Sequence, residues 1–69
     1  MQTEWFIVVE AQGAWWIDNE GKSFGPFSSR EQAGTEAIVI ARTFGERKRR
    51  TQVYAPDERG KQHLVWEGA

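Results

Sequence analysis

The sequence contains no cysteine, only one histidine, and no apolar run near the length of a membrane span. The absence of cysteine excludes disulfides and thiolate metal sites, and His63 with scattered carboxylates does not make a zinc site. The N-terminus has no basic segment followed by an apolar one, as a secretion signal would. We therefore expect a cytoplasmic protein without membrane contact and without a cofactor.

Large aromatic side chains are plentiful, with four Trp and four Phe among 69 residues. A chain of this length has room for one core, so residues 1–69 are predicted to form a single domain. Small domains without disulfides or metals are marginally stable, because apolar burial barely exceeds the entropy lost on folding. Self-association is then the remaining source of additional burial.

Two pairs of short β-branched and aromatic segments flank a helical segment, and each pair has the turn chemistry of a hairpin. The four predicted strands are residues 4–10, 14–18, 51–55 and 62–67. Residues 22–24 are a candidate for a short extra strand, which Gly25-Pro26 would end.

A helix is predicted over residues 29–44. Ser28 with Glu31, or Ser29 with Gln32, has the spacing of a capping box, in which the hydroxyl accepts a first-turn N–H and the acid or amide reaches back. The apolar residues that recur on one helical face are Ala33, Ala37, Ile40, Ala41 and Phe44. The predicted fold is α+β in ββαββ order, an antiparallel sheet of two hairpins with one helix packed on one face.

Four local features follow one another in this order: a Trp-Trp-Ile strand at residues 15–17, a Gly-Pro-Phe turn at 25–27, a serine-capped helix and a closing hairpin. This arrangement resembles a bacterial family of uncharacterised domains, domain of unknown function 2188. The resemblance spans nearly the whole chain and implies the ββαββ fold. It implies no catalytic or binding residue.

The predicted strands are apolar on both faces. In the first strand Trp5 and Ile7 alternate with Phe6, and in the last Leu64 and Trp66 share one face. One helix covers only one face of a sheet, so the other is left for solvent or a partner. Isolated exposed apolar residues are ordinary, but strands apolar on both faces favour a homodimer. The candidate self-association residues are Trp5, Ile7, Trp15 and Ile38, the last lying off the helix stripe.

A run of four basic residues precedes the fourth predicted strand: Arg47, Lys48, Arg49 and Arg50. Basic side chains after a helix interact favourably with the negative C-terminal end of its dipole. A run of this length is also typical of segments that contact phosphates. The pI of about 5.8 and the absence of a known nucleic-acid-binding motif favour a solvated helix end. Weak binding of nucleic acid or another polyanion, through these residues and Tyr54, is the alternative.

No pattern in the sequence indicates a catalytic site. Gly21-Lys22-Ser23 matches the end of a phosphate-binding loop, but Trp16 stands where the first glycine of that loop is required. The sequence therefore predicts a small non-enzymatic protein-interaction module that self-associates, with a nucleic-acid-binding module as the alternative.

Overall fold

The computed structural model describes residues 3–45 and 50–68. They form five strands and one helix: β1 (Thr3–Ala11), β2 (Ala14–Asn19), β3 (Lys22–Phe27), α1 (Arg30–Gly45), β4 (Arg50–Pro56) and β5 (Gln62–Gly68). The strands make a single sheet in the order β3-β2-β1-β4-β5. The predicted α+β class is thus correct, and β1 is the central strand.

The sheet is mixed, so the prediction of an antiparallel sheet in ββαββ order is wrong. β1 and β4 run parallel, from Thr3 opposite Arg50 to Ile7 opposite Tyr54, whereas the other neighbouring strands are antiparallel. The reason is β3. Two successive reversals give β3 the direction of β1, and α1 then carries the chain back along the sheet before β4 begins. The order is therefore βββαββ.

β3 is a full strand that continues through Gly25 and Pro26, where the prediction ended it. The Gly25–Pro26 peptide bond is cis. Proline is tolerated here because β3 lies at the edge of the sheet, where one side needs no ladder hydrogen bond. Gly25 has φ of +138°, and a Cβ there would lie 3.0 Å from the Trp15 carbonyl oxygen. Only glycine fits this close approach.

α1 begins with the predicted capping interaction. The Ser29 hydroxyl accepts from the Gln32 backbone N–H at 3.0 Å, and the Gln32 Oε1 accepts from the N–H and hydroxyl of Ser28, each at 2.9 Å. The predicted helix and the observed one differ by one residue at each end. The predicted stripe also faces the sheet: Ala33, Ala37 and Ala41 are fully buried, and Ile40 and Phe44 pack against the core.

The core lies between α1 and one face of the sheet. Its larger members are Phe6, Val8, Ile17 and Val53, all fully buried, and α1 adds only alanines at full burial. The Phe44 ring meets the Phe6 ring edge-on, with centroids 5.4 Å apart and planes at 71°. Alanine brings the helix close but buries little area. The apolar layer between helix and sheet is consequently thin.

Candidate interaction surface

The sheet face opposite α1, here called the open face, has apolar and aromatic side chains on four of its five strands, β1, β2, β4 and β5. They are Trp5, Ile7, Val9, Trp16, Tyr54 and Leu64, assigned from strand alternation and register. α1, the only helix in the described part of the chain, packs on the other face. This surface is therefore the second apolar face of the strands, the one that a single helix was predicted to leave uncovered.

Two large side chains of the open face are half exposed, Trp5 at 50% and Leu64 at 47%. Ile7 and Tyr54 are intermediate in burial, because neighbouring side chains on the same face cover part of them. A shallow groove of about 350 Å³ lies among Trp5, Ile7, Tyr54 and Gln62. Its walls are mostly apolar, so filling it would remove apolar area from water.

Gln52 orients two aromatic side chains of the open face, Trp5 and Tyr54. Its Oε1 accepts from the Trp5 indole N–H at 2.8 Å and from the Tyr54 hydroxyl at 3.1 Å. Its Nε2 donates to the Glu67 carboxylate at 2.9 Å. The polar ends of both aromatics are thus satisfied within the chain, and their apolar surfaces are held in place without a partner.

The four predicted self-association residues do not form one surface. Trp5 and Ile7 lie on the open face. Trp15 lies on the opposite face, paired with Glu10, and packs against the core. Ile38 is partly buried against the same core from α1. The structure therefore places two of the four on one face, where Trp16 and Leu64 also lie.

A β-bulge places Leu64 and Trp66 on opposite faces of the sheet. Tyr54 pairs with Leu64 and Val53 pairs with Trp66, so Val65 is an extra residue in β5. The extra residue breaks the alternation, which puts Leu64 on the open face and Trp66 against the core. The prediction that Leu64 and Trp66 share a face is wrong, because sequence alternation alone does not reveal a bulge.

Both edges of the sheet are irregular. β3 carries Pro26 and a register shift against β2 between Trp15 and Ile17. β5 carries the bulge at Val65. Proline and bulges disturb the row of free backbone groups that another strand would need for pairing. The edges are thus poorer association surfaces than the open face.

The basic run lies mostly outside the described residues, which include neither Arg47, Lys48 nor Arg49. Arg50 is exposed at the start of β4, and alternation places it on the open face with Gln52 and Tyr54. The open face also carries carboxylates, among them Asp18, which pairs with Ile7, and Glu67. Its charges are therefore of both signs.

The β4–β5 hairpin contains a close polar pair. The His63 Nε2 lies 2.8 Å from the Asp57 Oδ2, and the Asp57 Oδ1 accepts from the backbone N–H groups of Arg59 and Lys61. The His63 contact, followed by the two backbone hydrogen bonds, lowers the Asp57 pKa below its ordinary value of 3.8. These contacts close the turn. Among the described residues, no group of three or more metal-ligating side chains occurs.

No protein-family model, curated protein or solved structure matches the chain. The resemblance to the family of uncharacterised domains stays a prediction. Within residues 3–45 and 50–68, no helix combines the length and hydrophobicity needed to cross a membrane.

Proposed function

We propose that this protein is a small non-enzymatic interaction module that self-associates through the open face of its sheet. The observation that supports the proposal is the cluster of Trp5, Ile7, Tyr54 and Leu64 on a face that α1 does not cover. Contiguous exposed apolar surface on a small domain is typical of an interaction site.

A second copy of the chain is the partner that fits this face best. The chain has a net charge of −1, so two copies repel each other little. The open face carries Arg50 as well as Asp18 and Glu67, which allows opposite charges to meet in a two-fold pair. The thin layer under α1 also leaves a small domain with much to gain from further apolar burial.

Two matched substitutions test the proposal. Leu64 on the open face and Val39 on α1 are exposed to nearly the same extent, 47% and 49%. Leu64→Lys places a charge in the proposed interface, whereas Val39→Lys places the same charge on the far side of α1. Sedimentation equilibrium from low micromolar to millimolar protein should give twice 7.9 kDa for the wild type and for Val39→Lys. Leu64→Lys should give 7.9 kDa.

A monomeric wild type throughout that concentration range would refute the proposal. So would equal dissociation of the Leu64→Lys and Val39→Lys variants, because the loss would not then depend on the open face. Circular dichroism of both variants checks that each retains the wild-type fold.

Single-stranded nucleic acid is the second candidate partner, favoured by one observation. Arg50, Trp5 and Tyr54 lie on the same face, and aromatic stacking beside a cation is how single strands are bound without sequence preference. Titration of a labelled oligonucleotide into the wild type, an Arg50→Ala variant and a variant with Arg47, Lys48 and Arg49 replaced by alanine tests this. Real binding would weaken with salt, by a log–log slope of about −0.7 per phosphate contact. Absence of binding at low salt would remove this candidate.

A further inference from the structure

A crevice opens where the parallel strands β1 and β4 separate. Their ladder ends with Ile7 opposite Tyr54, after which β1 pairs only with β2 and β4 only with β5. If the β1–β4 ladder continued, the Val8 carbonyl would face the backbone nitrogen of Pro56. Proline has no N–H, so this ladder hydrogen bond cannot form. The Gln62 side chain supplies the missing donor instead, with its Nε2 3.0 Å from the Val8 oxygen. The crevice is thus a consequence of proline at position 56.

The crevice lies beyond the carboxyl ends of two neighbouring strands, and the two chain directions there make room for it. β1 and β4 are adjacent parallel strands, and the chain leaves their carboxyl ends in opposite directions, toward β2 and toward β5. The hairpin turns after β1 and β4 therefore diverge, and the space between them is the crevice. The volume here is about 390 Å³, and an adjoining cavity of about 430 Å³ shares Arg30 and Glu58 with it. These volumes suit a small molecule.

The crevice combines a guanidinium, three carboxylates and an aromatic wall, and one of the carboxylates is Asp57. Arg30, Glu10, Glu58 and Trp15 all line it. Arg30 donates to the Pro56 carbonyl at 3.3 Å and lies 3.5 Å from Glu31, which leaves several of its five N–H groups free.

Two of these carboxylates, Glu10 and Glu58, differ from the third, Asp57, in their hydrogen bonding. Asp57 is occupied by His63 and by two backbone N–H groups of its own hairpin. The side-chain carboxylates of Glu10 and Glu58 have no hydrogen bond or ion pair to any other described residue. Both therefore remain able to accept from a ligand.

We propose that this crevice binds a small zwitterion of amino-acid size. Free N–H groups of Arg30 would receive the ligand carboxylate, and Glu10 and Glu58 would receive its ammonium group. Trp15 and Val9 would contact its apolar part. A lone cation would meet the Arg30 charge and a lone anion would meet the carboxylates, so a ligand with both charges fits best. This site does not depend on self-association.

Chemical-shift titration of the ¹⁵N-labelled protein with matched probes tests the proposal. The first set is L-leucine, isoamylamine, which lacks its carboxylate, and isocaproate, which lacks its amine. The second set is L-phenylalanine, phenethylamine and hydrocinnamate. We expect an amino acid to shift the Trp15 indole N–H and the Gly60 amide saturably. Its two analogues should bind at least about tenfold more weakly, because each loses one charge-assisted contact.

Two charge-removing substitutions locate the binding. Arg30→Gln and Glu10→Gln should each weaken amino-acid binding at least about tenfold. Glu36→Gln removes an exposed carboxylate of α1 outside the crevice and should leave amino-acid binding unchanged. The comparison of probes on the wild type needs no variant, so it decides the matter even if a substitution unfolds the protein. No saturable shift with either amino acid, or equal binding of an amino acid and its amine, would overturn the proposal.

Discussion

Trp5 and Gln52 are joined across the parallel β1–β4 ladder by a hydrogen bond of 2.8 Å from the indole N–H to the amide oxygen. The same oxygen accepts from Tyr54, so one side chain fixes two aromatics on the open face. An exposed tryptophan would otherwise sample several rotamers, and a partner would have to order it. The hydrogen bond therefore prepares the open face for binding.

Replacing Gln52 should release both aromatics. In Gln52→Leu the Trp5 indole N–H signal should move toward the solvent-exposed position. The protein should lose at least about 1 kcal/mol of stability, since the variant removes three hydrogen bonds and a typical one contributes about 0.5–1.5 kcal/mol. The matched control is Gln52→Glu combined with Glu67→Gln, because it keeps an oxygen acceptor for Trp5 and Tyr54 and exchanges the donor and acceptor between positions 52 and 67. Two-dimensional ¹H–¹⁵N spectra and urea unfolding measure the two effects. An indole signal that stays in place in Gln52→Leu would contradict the prediction.

The buried hydroxyl of Thr51 should lower the free energy of unfolding. Thr51 is fully buried, and its Oγ1 has no hydrogen-bond partner in the described part of the chain. Thr51→Val keeps the shape and removes the unsatisfied group, so it should raise the free energy of unfolding by about 1 kcal/mol or more. Thr51→Ser keeps the hydroxyl and removes a methyl, so it should be destabilising. A less stable Thr51→Val protein in urea unfolding would mean that the hydroxyl is bonded.

The close approach of α1 to the sheet predicts a sharp size limit at Ala37. This residue is fully buried between helix and sheet. Ala37→Leu should cost about 1–3 kcal/mol, because the helix must move or the side chain must leave its rotamer. Thr35→Leu puts the same side chain on an exposed position of α1 and should change stability by less than about 0.5 kcal/mol. Urea midpoints of the two variants, at equal slopes, make the comparison.

Asp57 should stabilise the hairpin at neutral pH and lose that effect in acid. Its folded pKa is lowered below 3.8, first by His63 and then by the Lys61 and Arg59 backbone N–H groups. The carboxylate's contribution is therefore fully present above the unfolded value and is lost as pH falls through the lower folded value. Titration of the Asp57 ¹³C carboxyl signal measures this.

The His63→Ala variant separates the causes of that shift. Removing the imidazole should raise the Asp57 pKa toward its ordinary value, and the two backbone hydrogen bonds should keep it from returning fully. An unchanged Asp57 titration in the variant would show that the 2.8 Å contact does not lower the pKa.

Local interactions carried the correct part of the sequence analysis. The Ser29–Gln32 cap and the alanine stripe depend on residues within one or two turns of each other, so spacing alone predicts them. The prediction of the sheet failed at β3. Gly25-Pro26 indicates a turn in most contexts but lies within an edge strand here. One misjudged strand reversed the direction of β4 relative to β1.

The candidate surface was predictable in kind and not in detail. Strands apolar on both faces correctly indicated an uncovered side, whereas Trp15 and Leu64 depend on register and on a bulge. One sequence feature does point to the crevice: β4 ends at Pro56, which has no backbone N–H to donate to a neighbouring strand. That signal acquires meaning only once β1 is known to lie beside β4, a pairing that no local pattern specifies.

The position of β1 at the centre of the sheet sets the order in which the molecule can assemble. Its contacts with β2 are local, whereas its contacts with β4 join residues 47 positions apart, as in Trp5 and Gln52. The β1–β2–β3 meander and α1 can begin to form early, but the core lacks Val53 until the distant strand docks. Closing that long loop should limit the folding rate. The central strand comes first in the chain and is the last to be enclosed.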